Sequence, residues 1–350
     1  NMSNMFDGAT LFNKPLNDWN VQNVTNAAGF NSMFKNATAF NQSLNDWNVQ
    51  NVTNMNEMFR GAATFDQNIS SWNVSSVTDM DNMFNGATAF DQNIRTWVVD
   101  PNNVNNVTMT YMFKDATAMQ SRFTIIELGD TPGQTFFGKT AITNDNKNAA
   151  RDGSITVDTT EYGHISTWNT SAVTNMGYLI RDLSGKDTFN EDISRWDVSN
   201  VTNMIHLFKE AKAFNADISN WDVSKVTNMN SMFNNADAFN ADISKWDVSS
   251  ATSMNGMFQT ARAFNADISK WDVSSVTDMI NMFFRAYAFD QNIRTWSVHS
   301  DVNRQSMFVD ATAMHDRFGN LTNIFKNTPT IDFFRKTAIT NDNINTALNA

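Results

Sequence analysis

Apolar residues recur along this chain with a period of 25. One clean copy, residues 214–239, reads FNADISNWDVSKVTNMNSMFNNADAF. Around Trp221 its apolar positions are Ile218, Val223, Val226, Met229, Met232, Phe233, Ala236 and Phe239. Trp221 and Val223 alternate at period two, the spacing of a short strand. From Met229 the spacing becomes i, i+3, i+4, i+7, one face of a short helix, and Thr227 or Asn228 stands where a cap belongs. The pattern predicts strand, tight turn, short helix and return loop in every repeat.

Tryptophan marks the copies. Trp47, Trp72 and Trp97 lie 25 apart, as do Trp196, Trp221, Trp246, Trp271 and Trp296. The steps Trp19 to Trp47 and Trp168 to Trp196 are 28, each with a three-residue insertion. A fixed period in this range is the mark of a solenoid or repeat array. A lone repeat has no neighbour to cover its apolar faces, so burial requires stacking. Stacked strands would form a parallel sheet at about 4.8 Å per step.

Polar positions keep the same period. The residue after each return-loop Phe is Asn or Asp: Asn41, Asp66, Asp91, Asn190, Asn215, Asn240, Asn265 and Asp290. A side-chain oxygen at one fixed turn position can accept the backbone N–H of the next coil, which makes a ladder. Thr53, Thr78, Thr202, Thr227 and Thr277 form a second such column. Both read as scaffold.

The combination I-S-x-W-D-V-S-x-V-T-N-M-x-x-M-F-x-x-A-x-A-F resembles the BspA-like, mycoplasma-type leucine-rich repeats of surface proteins. The resemblance covers about two thirds of the chain. It implies an α/β solenoid, a leucine-rich-repeat-like array with one short parallel strand and one short helix per repeat. It also implies an extracellular or cell-surface location, in a family that is sometimes adhesive. The copies at Trp97-Val98-Val99 and Trp296-Ser297-Val298 depart from the pattern and end each run.

A longer duplication lies above the repeat. FDQNIRTW at 90–97 returns at 289–296, and KTAITNDN at 139–146 returns at 336–343. Thr131-Pro132 followed by Phe136-Phe137 is echoed by Thr328-Pro329 followed by Phe333-Phe334. The expected organisation is two tandem units: a first array at 1–118, a cap or linker at 119–160, a second array at 161–313 and a second cap or linker at 314–350. Asn1 opens inside a repeat and Ala350 stops where another array would begin. The periodicity therefore predicts a longer polypeptide.

Composition narrows the function. Net charge is −11, charged residues are 17%, and 51 asparagines take much of their place. With no basic cluster, the chain lacks the stripe that neutralises phosphates, so no nucleic-acid partner is expected. No apolar run approaches the ~18 residues a membrane span needs, so no membrane insertion is expected in this segment. Cysteine is absent, which removes disulfides and thiolate chemistry.

Candidate chemistry is sparse. Gly133–Thr140 satisfies the phosphate-loop pattern G-x4-G-K-[ST]. Its duplicate, Thr330–Thr337, lacks both glycines, and two adjacent Phe residues suit a plug at the end of an array. His164, His206, His299 and His315 form no metal-binding spacing. The expectation is no enzyme, no cofactor and no metal, with one candidate exception. Asp197, Asp222, Asp247 and Asp272 follow Trp in successive repeats. Stacked carboxylates repel unless neutralised. Arg195, Lys245 and Lys270 are the expected counter-charges, and calcium is the candidate cation. In the first unit that column is Asn20, Asn48 and Asn73, which favours a local turn role for it.

Sequons are frequent. Asn23, Asn51, Asn106 and Asn200, in the turn before Val-Thr, are the glycosylation candidates because that turn should be exposed. Asn41, in the ladder, is the poorest. The sequence thus reads as a non-enzymatic extracellular structural or adhesive protein, including a segment of a fibre. It would associate with itself through the array ends, or with other surface proteins or glycans. The rival is a recognition module binding protein or glycan on its strand face.

Overall fold

A computed structural model describes residues 1–24, 29–99, 107–123, 128–133, 136–151, 162–318 and 328–334. The chain divides into two compact units, Asn1–Ala141 with Asp158–Gly163, and Ile142–Val157 with His164–Ala350. Each unit contains a run of 25-residue coils hydrogen-bonded one on the next.

Every apolar position of the repeat faces inward. Ile218, Trp221, Val223, Val226, Met229, Met232, Phe233, Ala236 and Phe239 are all buried, and so are their equivalents in neighbouring copies. Rings stack along the array. Phe233 meets Phe258 at 5.7 Å between centroids, and Trp221 meets Trp246 at 6.4 Å with planes 1° apart. Burial of apolar area on both faces of each coil supplies the main stabilisation.

The local backbone departs from expectation at two places. Trp221 and Val223 do not form a strand; the Trp221 amide turns back to the Ile218 carbonyl, 3.2 Å away. Parallel pairing occurs instead at single bridges five residues beyond Val223, Asn228 with Ser253 and Ser253 with Asp278. Trp221 joins the array through its ring, whose Nε1 donates to the Ile193 carbonyl.

The segment expected to be helical is a ladder of turns. Met229, Ser231, Phe233 and Asn235 donate their amides to Ser253, Asn255, Met257 and Gln259 of the next coil at 2.7–3.0 Å. The amides between them, Met232, Asn234 and Ala236, reach back three residues within the coil. Ser231 and Asn235 have φ of 52° and 58°. A left-handed residue every fourth position breaks a helix and suits the third position of a β-turn. This arrangement buries the same i, i+3, i+4, i+7 set a helix would. It also turns alternate N–H groups toward the next coil, which a helix cannot do because it satisfies them internally. Asn228 caps nothing helical; its Oδ1 accepts the Asn230 amide.

Helix forms at the last coil of each unit, α1 at Thr117–Arg122 and α3 at Thr312–Phe318. A further short helix, α2 at Lys147–Arg151, precedes the second array. Near it the chain pairs with the first coil of that unit, Ile142 donating to Asn169 and Asn144 to the Thr174 hydroxyl.

Two polar ladders are present as expected. Asn190 Oδ1 accepts the Asn215 amide, Asn215 accepts that of Asn240, Asn240 that of Asn265, and Asn265 that of Asp290, at 2.7–3.0 Å. In the first unit Asn13, Asn41 and Asp66 do the same for Asn41, Asp66 and Asp91. In the Thr column the side chain is the donor, each hydroxyl bonding the carbonyl of the Thr one coil before it, as from Thr227 to Thr202 and Thr277 to Thr252.

Candidate functional site

Two Asp-x-Ser turns flank each of Trp196, Trp221, Trp246 and Trp271. In the Asp-Val-Ser turn, Oδ1 of Asp197, Asp222, Asp247 and Asp272 accepts the amide of Ser199, Ser224, Ser249 and Ser274 at 3.0–3.1 Å. Asn20, Asn48 and Asn73 accept in the same way in the first unit. This geometry needs an oxygen two residues before an amide and no charge, which explains why Asn and Asp interchange.

The second column lies four residues before Trp and was not among the sequence candidates. Asp192, Asp217, Asp242 and Asp267 accept the amides of Ser194, Ser219, Ser244 and Ser269 at 2.9–3.0 Å. Its signal was the repeated Asp-Ile-Ser, the same motif as Asp-Val-Ser. All eight Asp side chains are exposed.

These turns set the charge of the surface. Hydrogen bonds from the Ser224 hydroxyl and amide hold the Asp222 carboxyl below its ordinary range, and Ser274 does so at Asp272. The Ser219 amide and hydroxyl depress Asp217, as Ser269 depresses Asp267. The Ser244 hydroxyl leads at Asp242. Lys245 adds to the lowering at Asp217 and Asp242, and Lys270 to that at Asp267. The two lysines therefore act on the column four residues before Trp; Lys225 acts on Asp222. Both Lys245 and Lys270 are exposed.

Among the described residues no group of three or more His, Asp or Glu side chains is placed to hold a metal ion. The Asp column is a row of separate turns, each with one oxygen committed to its own serine, and the calcium reading gains nothing from it.

Asn23, Asn51 and Asn200 are exposed; Asn106 lies outside the described residues. Asn51 Nδ2 donates to the Gln22 carbonyl and Asn200 Nδ2 to that of Ser171, at 3.0 and 3.1 Å. Asn41 Oδ1 receives both the Asp66 amide and the Gln67 side chain.

The phosphate-loop match is used for structure. Phe136 and Phe137 are buried, and the Gly138 and Lys139 amides donate to the Trp97 and Arg95 carbonyls at 2.9 and 2.8 Å. Amides that would cradle a phosphate are spent on the last coil; Gln134 and Thr135 lie outside the described residues. The histidines are dispersed. His164 is buried beside Ser166, His206 lies tilted against the Tyr178 ring, His299 accepts the Asp301 amide, and His315 sits in α3. Among the described residues no helix is long and apolar enough to cross a membrane.

The family described as Mycoplasma protein of unknown function, DUF285, matches residues 1–126, 154–263, 216–324 and 241–346. The chain belongs to this family. No curated protein matches it. A leucine-rich repeat protein from Eubacterium ventriosum is 11% identical, over 94% of this chain and 90% of its own, with a TM-score of 0.20. A leucine rich cell surface protein from Faecalibacterium prausnitzii is 10% identical, over 85% and 75%, with a TM-score of 0.16.

Proposed function

We propose that the chain is a non-enzymatic scaffold displayed at a cell surface, a leucine-rich-repeat-like solenoid with a structural or adhesive role. The observation that carries this is the division of labour among polar side chains. Those that recur, the Asn ladder, the Thr hydroxyls, the Trp indoles and the Asp-x-Ser turns, are committed to the backbone of their own or the adjoining coil. Beside them the outward positions change freely. Asn220, Lys245 and Lys270 occupy one exposed column, and Asn200, Lys225, Ser250 and Ser275 another. A fixed frame carrying a variable charged surface is how stacked repeats build an extended contact face. The surface location rests on the resemblance of the W-D-V-S-x-V-T-N-M core to surface repeats.

The variable columns also favour the narrower reading, a face that recognises one protein or glycan. Treating intact source cells with an impermeant protease tests the location: the chain should be degraded while cytosolic markers survive. Its survival until the cells are lysed would contradict the proposal. Binding of the full chain to immobilised matrix proteins and glycans, compared with Lys245→Glu/Lys270→Glu, separates the two roles. Recognition predicts loss of one specific partner; a purely structural role predicts no difference.

A further inference from the structure

The last coil of each unit is closed by a short segment with one design. Inside an array, the amides at the first left-handed position and two residues later donate to the following coil, as Gly256 does to Ile280 and Phe258 to Met282. The last coil has no coil after it. In the first unit Tyr111, at that left-handed position, donates to the Thr131 hydroxyl at 2.8 Å and Phe113 to the Asp130 carbonyl at 2.9 Å. In the second unit Ser306, at the equivalent position, donates to the Thr328 hydroxyl at 2.9 Å. Arg304 Nε reaches the Pro329 carbonyl.

The aromatic columns end at the same segment. Phe137 lies flat on Trp97, and Phe334 on Trp296, at 6.3 and 6.4 Å with planes 11° and 9° apart. Each takes the place of the next tryptophan. The preceding residue does the opposite: Phe136 meets Phe113 edge-on at 61°, and Phe333 meets Phe308 at 70°. A perpendicular ring covers the face of the Phe column and offers no parallel face for another to join. Arg95 and Arg294 lie over Phe136 and Phe333 at 5.5 and 5.8 Å, which holds each edge-on ring from one side.

We propose that the Thr-Pro-x3-Phe-Phe segment, residues 131–137 and 328–334, is a terminator of array growth. It takes up the donors and the aromatic face that a further repeat, or a second copy of this chain, would use. The unpaired amides and flat rings of an open end are a template for pairing, and head-to-tail pairing of that kind does not close on itself. The segment therefore blocks end-on self-association at the array end it covers, the contact through which a fibre would grow.

The test uses the full chain with Phe333→Gly/Phe334→Gly, which bares Trp296 and Phe308. Light scattering over a hundredfold concentration range should show the mass of the double variant rising at least twofold relative to the parent chain. Amide exchange at Ser306 should be at least tenfold faster in its dilute form. Thr328→Val removes only the hydroxyl acceptor, and should speed Ser306 exchange tenfold with unchanged circular dichroism. Parent-like mass in the double variant, with parent-like Ser306 exchange in Thr328→Val, would overturn the proposal. Should the double variant lose its tryptophan circular dichroism, the Thr328→Val exchange rate decides alone.

Discussion

The indole Nε1 of Trp221 donates to the backbone carbonyl of Ile193, 3.1 Å away in the preceding coil. The same bond joins Trp246 to Ile218, Trp271 to Ile243 and Trp296 to Ile268. Each Trp thus fills the core and, through one buried donor, fixes the register of its coil on the one before. Trp221→Ala should cost about 3–5 kcal/mol for the lost ring and the cavity it leaves. Trp221→Phe keeps a ring in the column but takes one of two hydrogen bonds from the Ile193 carbonyl, which still accepts the Trp196 amide, and should cost about 0.5–1.5 kcal/mol. Denaturant unfolding of both variants checks the order; equal stability of the wild type and Trp221→Phe would remove the indole bond from the account.

Asn240 is a relay, receiving the Asn265 amide at 2.7 Å while its own amide goes to Asn215. Asn240→Ala should release the Asn265 amide to fast hydrogen exchange and cost about 1 kcal/mol. Asn240→Asp should be nearly neutral, because Asp66 performs this task for Asp91. Equal loss in both variants would mean that the side-chain oxygen is not what matters.

The serine-bound carboxylates predict the acid limit. Asp217, Asp222, Asp242, Asp267 and Asp272 are all held below the ordinary value of 3.8. A carboxyl depressed in the folded state adds stability above its unfolded value, and that stability is lost as pH falls through the folded value. Stability should therefore be level in this respect above pH 3.8 and decline below it. Ser224→Ala should move the Asp222 titration upward, toward the ordinary value, as followed by carboxyl carbon NMR. An unmoved titration would show that Ser224 is not its cause.

Thr260 is β-branched and sits at φ 59°, where Gly61 and Gly86 stand in the first unit. Left-handed backbone strains such a side chain by about 1–3 kcal/mol. Thr260→Gly should therefore raise stability by up to about 1 kcal/mol once the flexibility of glycine is set against the strain. A loss of stability would mean that the Thr260 side chain contributes packing that offsets its strain.

Much of this architecture is legible in the sequence, and the illegible part has a physical reason. The 25-residue period, the inward face of Trp221 and Phe239, the Asn ladder and the Phe-Phe plug all follow from which residues recur where. The ladder of turns does not, because Met229, Met232, Phe233 and Ala236 are spaced as a helix would space them. Burial periodicity reports which side chains share a face and is blind to how the backbone carries them there. The distinguishing mark lay in two other columns. Gly61, Gly86 and Asn235 share one and Gly256 and Ser231 the other, all left-handed. Glycine and asparagine at a four-residue interval are poor helix and good turn residues. The Asp surface was half legible: Asp222 drew notice beside Trp221, whereas Asp217 hid in the same motif one turn earlier.

The central claim is that coils join through alternate backbone amides of a turn ladder. Through-hydrogen-bond NMR couplings in the deuterated chain test it most directly. The amide nitrogens of Met229, Ser231, Phe233 and Asn235 should couple to the carbonyl carbons of Ser253, Asn255, Met257 and Gln259. A helix would couple each nitrogen to the carbonyl four residues earlier, Phe233 to Met229 first among them. Couplings of that second kind, with none between coils, would contradict the account.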